Sequence, residues 1–135
     1  MNRDAIVDIP EARIKFFGGS GKMLLPSPAT VAVLLEKIPE QKLITTNLIC
    51  KKLVKEFKVQ GTCPVTTKKA LQTLASDPDS RAPYWRVLKA NGELVRSFPG
   101  GTKSQAARLQ EEGFMLIEGK VVKVENFKES LVDLE

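Results

Sequence analysis

Residues 82–101 read APYWRVLKANGELVRSFPGG, and the pattern within them decides the fold. Two runs rich in Val, Leu, Tyr, Trp and Phe flank Asn91-Gly92. Asn-Gly in that setting is the strongest short-range hairpin signal, because a two-residue hairpin turn often needs positive φ at both central positions. The stretch therefore predicts a strand over Arg86–Lys89, a tight turn, a return strand over Glu93–Phe98, and a glycine-rich exit through Pro99-Gly100-Gly101.

Upstream of the hairpin the period changes from two to 3.6 residues. Ser27-Pro28 supplies an N-cap followed by proline at the first helical position. Val31, Leu34, Leu35 and Ile38 then fall on one helical face, which Pro39 closes. Lys42–Thr46 is a short extended piece. A helix over Asn47–Phe57 turns Leu48, Ile49, Leu53, Val54 and Phe57 inward and Lys51, Lys52, Lys55 and Lys58 outward. A further helix over Thr67–Ala75 places Ala70, Leu71 and Leu74 inward, with Lys68, Lys69 and Gln72 facing solvent. Two amphipathic helices followed by a hairpin make a winged helix-turn-helix layout. The expected fold class is α+β, mainly α, with small β-hairpins over residues 27–125.

Residues 1–26 form an N-terminal extension with a strand expected at Ala12–Phe17. The run Gly18-Gly19-Ser20-Gly21-Lys22 is a turn and not a phosphate loop: that motif needs glycine where Phe16 stands and Ser or Thr where Met23 stands. Beyond the main hairpin, Thr102 caps a helix that runs to Glu112 and stops at Gly113. Phe114–Ile117 and Val121–Val124 alternate around Glu118-Gly119-Lys120 as a second hairpin. A last short helix over 126–135 starts at Asn126 and carries Phe127, Leu131 and Leu134 on one side.

Composition excludes several classes. A chain of 135 residues with 42% hydrophobic content holds one modest core. No apolar run approaches the roughly 18 residues of a membrane span, and no secretory signal is visible, so a cytoplasmic protein without membrane contact is the expectation. The two cysteines, Cys50 and Cys63, fit a reducing compartment. With no histidine in the chain, neither a structural metal site nor a base-activated thiol is expected, and no cofactor is implied. The net charge of +5 is polarised. Between Lys42 and Lys69 seven lysines face one acid, Glu56, whereas from Glu111 onward seven acids face three lysines. Such a lysine-rich face suits a polyanion through contacts that release counterions, although a merely solvated surface has the same composition.

Taken together, Pro83-Tyr84-Trp85-Arg86-Val87, the Gly92 turn, Pro99-Gly100-Gly101 and Glu111-Glu112-Gly113 resemble the DNA-binding domain of the alkyltransferases that repair O-alkylated guanine. They also resemble the non-catalytic, alkyltransferase-like relatives of those enzymes. In the repair enzymes the pentapeptide is Pro-Cys-His-Arg-Val, with cysteine as alkyl acceptor and histidine as its base. Here Tyr84 stands at the cysteine position and Trp85 at the histidine position, so the resemblance implies a relative without transfer chemistry and without catalytic residues.

The same resemblance implies double-stranded, alkylated DNA as partner, with a repair protein as a further partner class. Lys51, Lys52, Lys55, Lys68, Lys69 and Gln72 are then the candidate DNA contacts, and Leu71-Gln72 fall where the family has small residues. Tyr84, Trp85 and Arg86 are the candidate base pocket. The two aromatics have two readings: they stack on an extruded base, or they fill the former pocket as core. The alternative function is a winged-helix interaction module that binds protein or RNA.

Overall fold

The computed structural model describes residues 3–132. In chain order, β1 (Ala5–Asp8) leads through a 3-10 turn (Glu11–Arg13) into α1 (Ile14–Phe17), and β2 (Lys22–Leu25) follows. β1 pairs antiparallel with β2, Ala5 opposite Leu25. The expected strand at Ala12–Phe17 is thus a helical turn. Ile14 and Phe17, three residues apart, pack together against Ile9, Met23 and Cys63. Gly18 at φ +77° ends the turn, a conformation that favours glycine.

The helical core follows the sequence closely. Ser27 accepts the Thr30 amide at 3.2 Å and starts α2 (Pro28–Leu35), whose Val31, Leu34 and Leu35 are buried. β3 (Ile44–Thr45) runs into α3 (Thr46–Phe57), which buries Ile49 and Leu53. β4 (Gly61–Thr62) pairs parallel with β2, so the N-terminal strands form a three-stranded sheet against the loop between two helices. α4 (Pro64–Ser76) starts three residues earlier than the apolar period indicates, because Pro64 occupies the first turn and Cys63 the N-cap position. Its Ala70, Leu71 and Leu74 join Leu24, Leu35 and Leu53 in the main core.

The predicted central hairpin is largely replaced. β5 (Val87–Leu88) pairs in parallel with β3, Ile44 opposite Val87 and Thr45 opposite Leu88. Only the turn survives: Gly92 N–H donates to Lys89 O, and Lys89 N–H to Glu93 O, both at 2.9 Å. Gly92 takes φ +89° while Asn91 keeps negative φ, so the loop has three residues with glycine in the left-handed position. Beyond Glu93 the chain pairs elsewhere. β6 (Leu116–Glu118) and β7 (Val122–Val124) form the second hairpin as expected. Leu94 N–H bonds Val122 O at 2.9 Å, and Val124 N–H bonds Gly92 O at 3.1 Å. Burial explains the change: Val87, Leu88, Leu94 and Val95 are all buried. A two-stranded hairpin with one face in water cannot bury all four.

α5 (Gly101–Glu111) packs Leu109 against Leu88, Leu94 and Val124 of these strands; Gly100 at φ +80°, not the expected Thr102, stands at its N-cap, and Gly113 at φ +95° follows it as expected. Leu109 of α5 closes a second cluster with Leu43, Leu88, Leu94 and Val124. The expected C-terminal helix is a single 3-10 turn, Phe127–Ser130, with Asn126 at φ +53° and no side-chain cap bond. It stops there because Leu131 bridges Leu43 and Val132 N–H donates to Leu43 O at 2.8 Å. Leu134 lies outside the described residues. Among those described, no helix is long and apolar enough to cross a membrane.

Candidate nucleic-acid interface

α3 and α4 carry the candidate phosphate contacts. Lys51, Lys55 and Lys58 are exposed along α3, with Lys58 just past its end at φ +53°. Lys52 is half-buried, with Glu56 one turn on at 3.9 Å. On α4, Lys68 and Lys69 are exposed and Gln72 half-buried. Lys69 and Gln72 come together with Thr73, Ser76 and Asp77 around a shallow depression of about 640 Å³. Leu71 is 2% exposed and belongs to the core, so its bulk does not stand on this face. The residues that do border the depression beside Lys69 are mostly short, which lets a ligand approach the helix closely.

Tyr84, Trp85 and Arg86 form one 3-10 turn between α4 and α5. Tyr84 meets Trp85 edge-on at 5.5 Å and Phe98 edge-on at 5.1 Å. Arg86 is 8% exposed; its Nη1 donates to Ile38 O at 2.7 Å and its Nε to both carboxylate oxygens of Glu112 at 3.0–3.1 Å. Trp85 Nε1 donates to the same carboxylate at 2.7 Å, and the Gln41 amide at 3.0 Å. The Arg108 guanidinium lies 4.4 Å from the Trp85 ring centre, a cation–π distance. Glu40, Gln41, Trp85, Arg86, Arg108, Glu111 and Glu112 line a polar cavity of about 320 Å³.

Three residues of this site carry no functional role in the sequence reading: Gln105, Arg108 and Glu112. Gln105 is 1% exposed and donates to Trp85 O at 3.0 Å and Val87 O at 2.8 Å while accepting from Val95 N–H at 2.8 Å. Its signal is an amide one turn before Leu109 on an otherwise apolar face. Arg108 and Glu112, also one turn apart, point the same side of α5 at Trp85. Burial alone would push the Glu112 carboxyl up. The bonds from Trp85, Gln41 and Arg86, with the Arg86 charge, outweigh it and hold Glu112 below its ordinary value.

The cysteines behave differently from each other. Burial pushes the Cys50 thiol up, only partly offset by Thr67. Burial also acts to raise Cys63, but hydrogen bonds from Thr66, Arg13 and the Val65 amide outweigh it and lower that thiol. Arg13 Nη1 lies 3.3 Å from Cys63 Sγ, which ties the N-terminal segment to the start of α4.

Comparison with known proteins gives a likeness of fold. No family model matches the sequence, and no curated protein matches it. The S. pombe Atl1 structure in complex with damaged DNA containing O6-carboxymethylguanine is 23% identical, with a TM-score of 0.59 over 78% of this chain and 94% of that one. A second S. pombe ATL structure, in complex with DNA, is 21% identical, with a TM-score of 0.60 over the same shares. The arrangement of helices and small sheets in this chain is thus similar to the fold of the Atl1 structures.

Proposed function

We propose that this chain is a DNA-binding protein of the alkyltransferase-like kind that recognises alkylated guanine without transferring the alkyl group. One observation carries the reading: α4 presents Lys68, Lys69 and Gln72 on an exposed face, within the fold of a protein seen in complex with damaged DNA. In this reading α3 and α4 are the helix-turn-helix, the turn at Gly92 with β6 and β7 is the wing, and Lys51, Lys52 and Lys55 contribute to the basic field. Phosphate contacts from the lysines set affinity, and the aromatic turn at Tyr84 and Trp85 reads the lesion.

The chemistry of the turn supports a reader in place of an enzyme. A tyrosine replaces the thiol nucleophile. The indole of Trp85 only donates a hydrogen bond, so it cannot accept a proton from any neighbour. Glu112 takes that N–H at 2.7 Å, and the ring is held by the carboxylate with no base between the two.

The test is binding to short duplexes, plain and carrying one O-alkylated guanine, across a salt series. The variants are Lys68→Glu/Lys69→Glu and Tyr84→Ala. Wild type should prefer the lesion, Tyr84→Ala should lose the preference but keep plain-duplex affinity, and the lysine variant should lose both with a shallower salt slope. Absence of binding at low salt refutes the DNA reading and moves the search to protein or RNA partners.

A further inference from the structure

Cys50 and Cys63 are the only thiols of the chain, and both stand in the unit that carries the lysines: Cys50 within α3, Cys63 immediately before α4. The hydroxyl of Thr67, a residue 2% exposed, donates to Cys63 O at 2.8 Å and lies 3.8 Å from Cys50 Sγ. Thr62 Oγ1 donates to Cys50 O at 3.0 Å. Cys50 therefore contacts the residue before Cys63 and the residue one helical turn after it, which sets the two cysteines beside each other where α3 meets α4. Burial raises the Cys50 thiol, Thr67 offsets part of that, and the charge of Cys63 raises it further, so the two sulfurs interact.

Against burial, Thr66, Arg13 and the Val65 amide hold the Cys63 thiol below its ordinary value, and the thiolate is the form that attacks a peroxide. Arg13 Nη1, 3.3 Å from the sulfur, supplies positive charge in a chain without histidine. Cys63 is 4% exposed, which calls for a water-sized oxidant. We infer that hydrogen peroxide closes a Cys50–Cys63 disulfide that shifts the start of α4 and weakens its hold on DNA. The Cys63 thiolate attacks one peroxide oxygen, the O–O bond breaks, and a sulfenic acid forms as hydroxide leaves. The Cys50 sulfur then attacks the sulfenic sulfur, its proton leaving with the hydroxyl as water, so two electrons pass from the thiols to the peroxide. The bond takes Cys63 off Arg13 and displaces the Thr67 hydroxyl from between the cysteines. The effect on binding rests on the DNA reading of α4, in which Lys68 and Lys69 directly follow Thr67.

The experiment treats wild type, Cys50→Ser and Cys63→Ser with hydrogen peroxide, blocks free thiols with N-ethylmaleimide and maps tryptic peptides without reductant. Serine is a favoured N-cap, so Cys63→Ser should keep the fold. Wild type should lose the mass of a pair of hydrogen atoms and yield a peptide linking Cys50 to Cys63, reversibly with dithiothreitol; neither variant should form the link. On one plain duplex, oxidised wild type should bind more weakly than reduced, with a salt slope smaller by about two for Lys68 and Lys69, while peroxide-treated Cys63→Ser keeps the reduced affinity. Thiols still free after treatment, or a link that leaves duplex affinity unchanged, overturn the switch while the DNA reading stands. Failure of reduced wild type to bind any duplex overturns the DNA reading and the switch with it, even where the disulfide forms.

Discussion

Replacing Glu112 tests the structural account of the aromatic turn most directly. The carboxylate accepts from Gln41 N–H, Trp85 Nε1 and Arg86 Nε, and the Arg86 and Glu112 side chains are only 10% and 12% exposed. Stripping one partner from a buried pair leaves an uncompensated charge and costs about 3–5 kcal/mol. Two features reduce the figure here. Arg86 keeps the Ile38 carbonyl through Nη1. The cavity beside Trp85 also lets solvent approach the guanidinium. Glu112→Ala should therefore lower stability by about 2–3 kcal/mol, and Glu112→Gln, which keeps the shape but not the charge, by about 1–2 kcal/mol.

The pH dependence supplies an independent check. Glu112 is held below its unfolded value of 4.5, so its contribution is fully present above that value and is lost as pH falls through the lower, folded one. Urea midpoints of wild type and Glu112→Gln should be separated at pH 7 and converge on acidification below pH 4.5. Equal midpoints at neutral pH, or a gap that stays constant down to pH 3, would refute the reasoning (an acid range about one unit or more below the unfolded value).

Three further outcomes follow from single contacts. Gln105→Leu removes the amide donor to Trp85 O and Val87 O and the acceptor of the Val95 N–H and should cost about 2–4 kcal/mol in urea unfolding. Gly61→Ala places a methyl in the Phe17 ring and should cost about 1–3 kcal/mol, with displacement of the Phe16–Phe17 pair seen as shifted aromatic NMR signals. Ser27→Ala removes the cap bond to Thr30 and should cost about 1 kcal/mol by the same unfolding assay.

What the sequence makes legible is what neighbouring residues decide among themselves. Ser27-Pro28 and the apolar face after it give α2, and Gly113 ends α5, because caps and helical periods are local. Strand partners are not local. Val87 and Leu88 pair with Ile44 and Thr45 far upstream, a choice fixed by burying both faces and invisible to an Asn-Gly rule that weighs only the adjacent segments. Ala12–Phe17 misleads for a related reason: Ile14 and Phe17 fit a helical turn as well as a strand, and Gly18 at positive φ selects the turn.

At the site, Tyr84, Trp85 and Arg86 stand out in sequence because a short pentapeptide carries them. Gln105, Arg108 and Glu112 reach the same place only because α5 docks against it. Leu71 carries two signals in the sequence: its helical period places it inward, and its alignment places it among small residues. It lies in the core, as the period indicates, while Gln72, Thr73 and Ser76 border the depression on α4.

The bonding of Trp85 also bears on the proposed function, in which the scaffold binds without transfer chemistry. A proton-transfer site needs a ring that can both give and take a proton, and it needs that ring accessible to a nucleophile. Here the indole N–H is committed to Glu112, the backbone carbonyl of Trp85 is committed to Gln105, and the ring has Arg108 4.4 Å from its centre. Tyr84 is edge-on to both Trp85 and Phe98, and Arg108 lies farther from it, at 6.0 Å. Trp85 is thus fixed from several directions, and Tyr84 is the aromatic of the pair with fewer anchors. A base that enters from the α4 side would meet Tyr84 at lower cost than Trp85, whose cation–π partner it would have to displace. Under the proposed function, Tyr84→Ala, which breaks only ring contacts to Trp85, Phe98 and Arg108, is therefore a cleaner test of base contact than a Trp85 variant, which also breaks the hydrogen bond to Glu112.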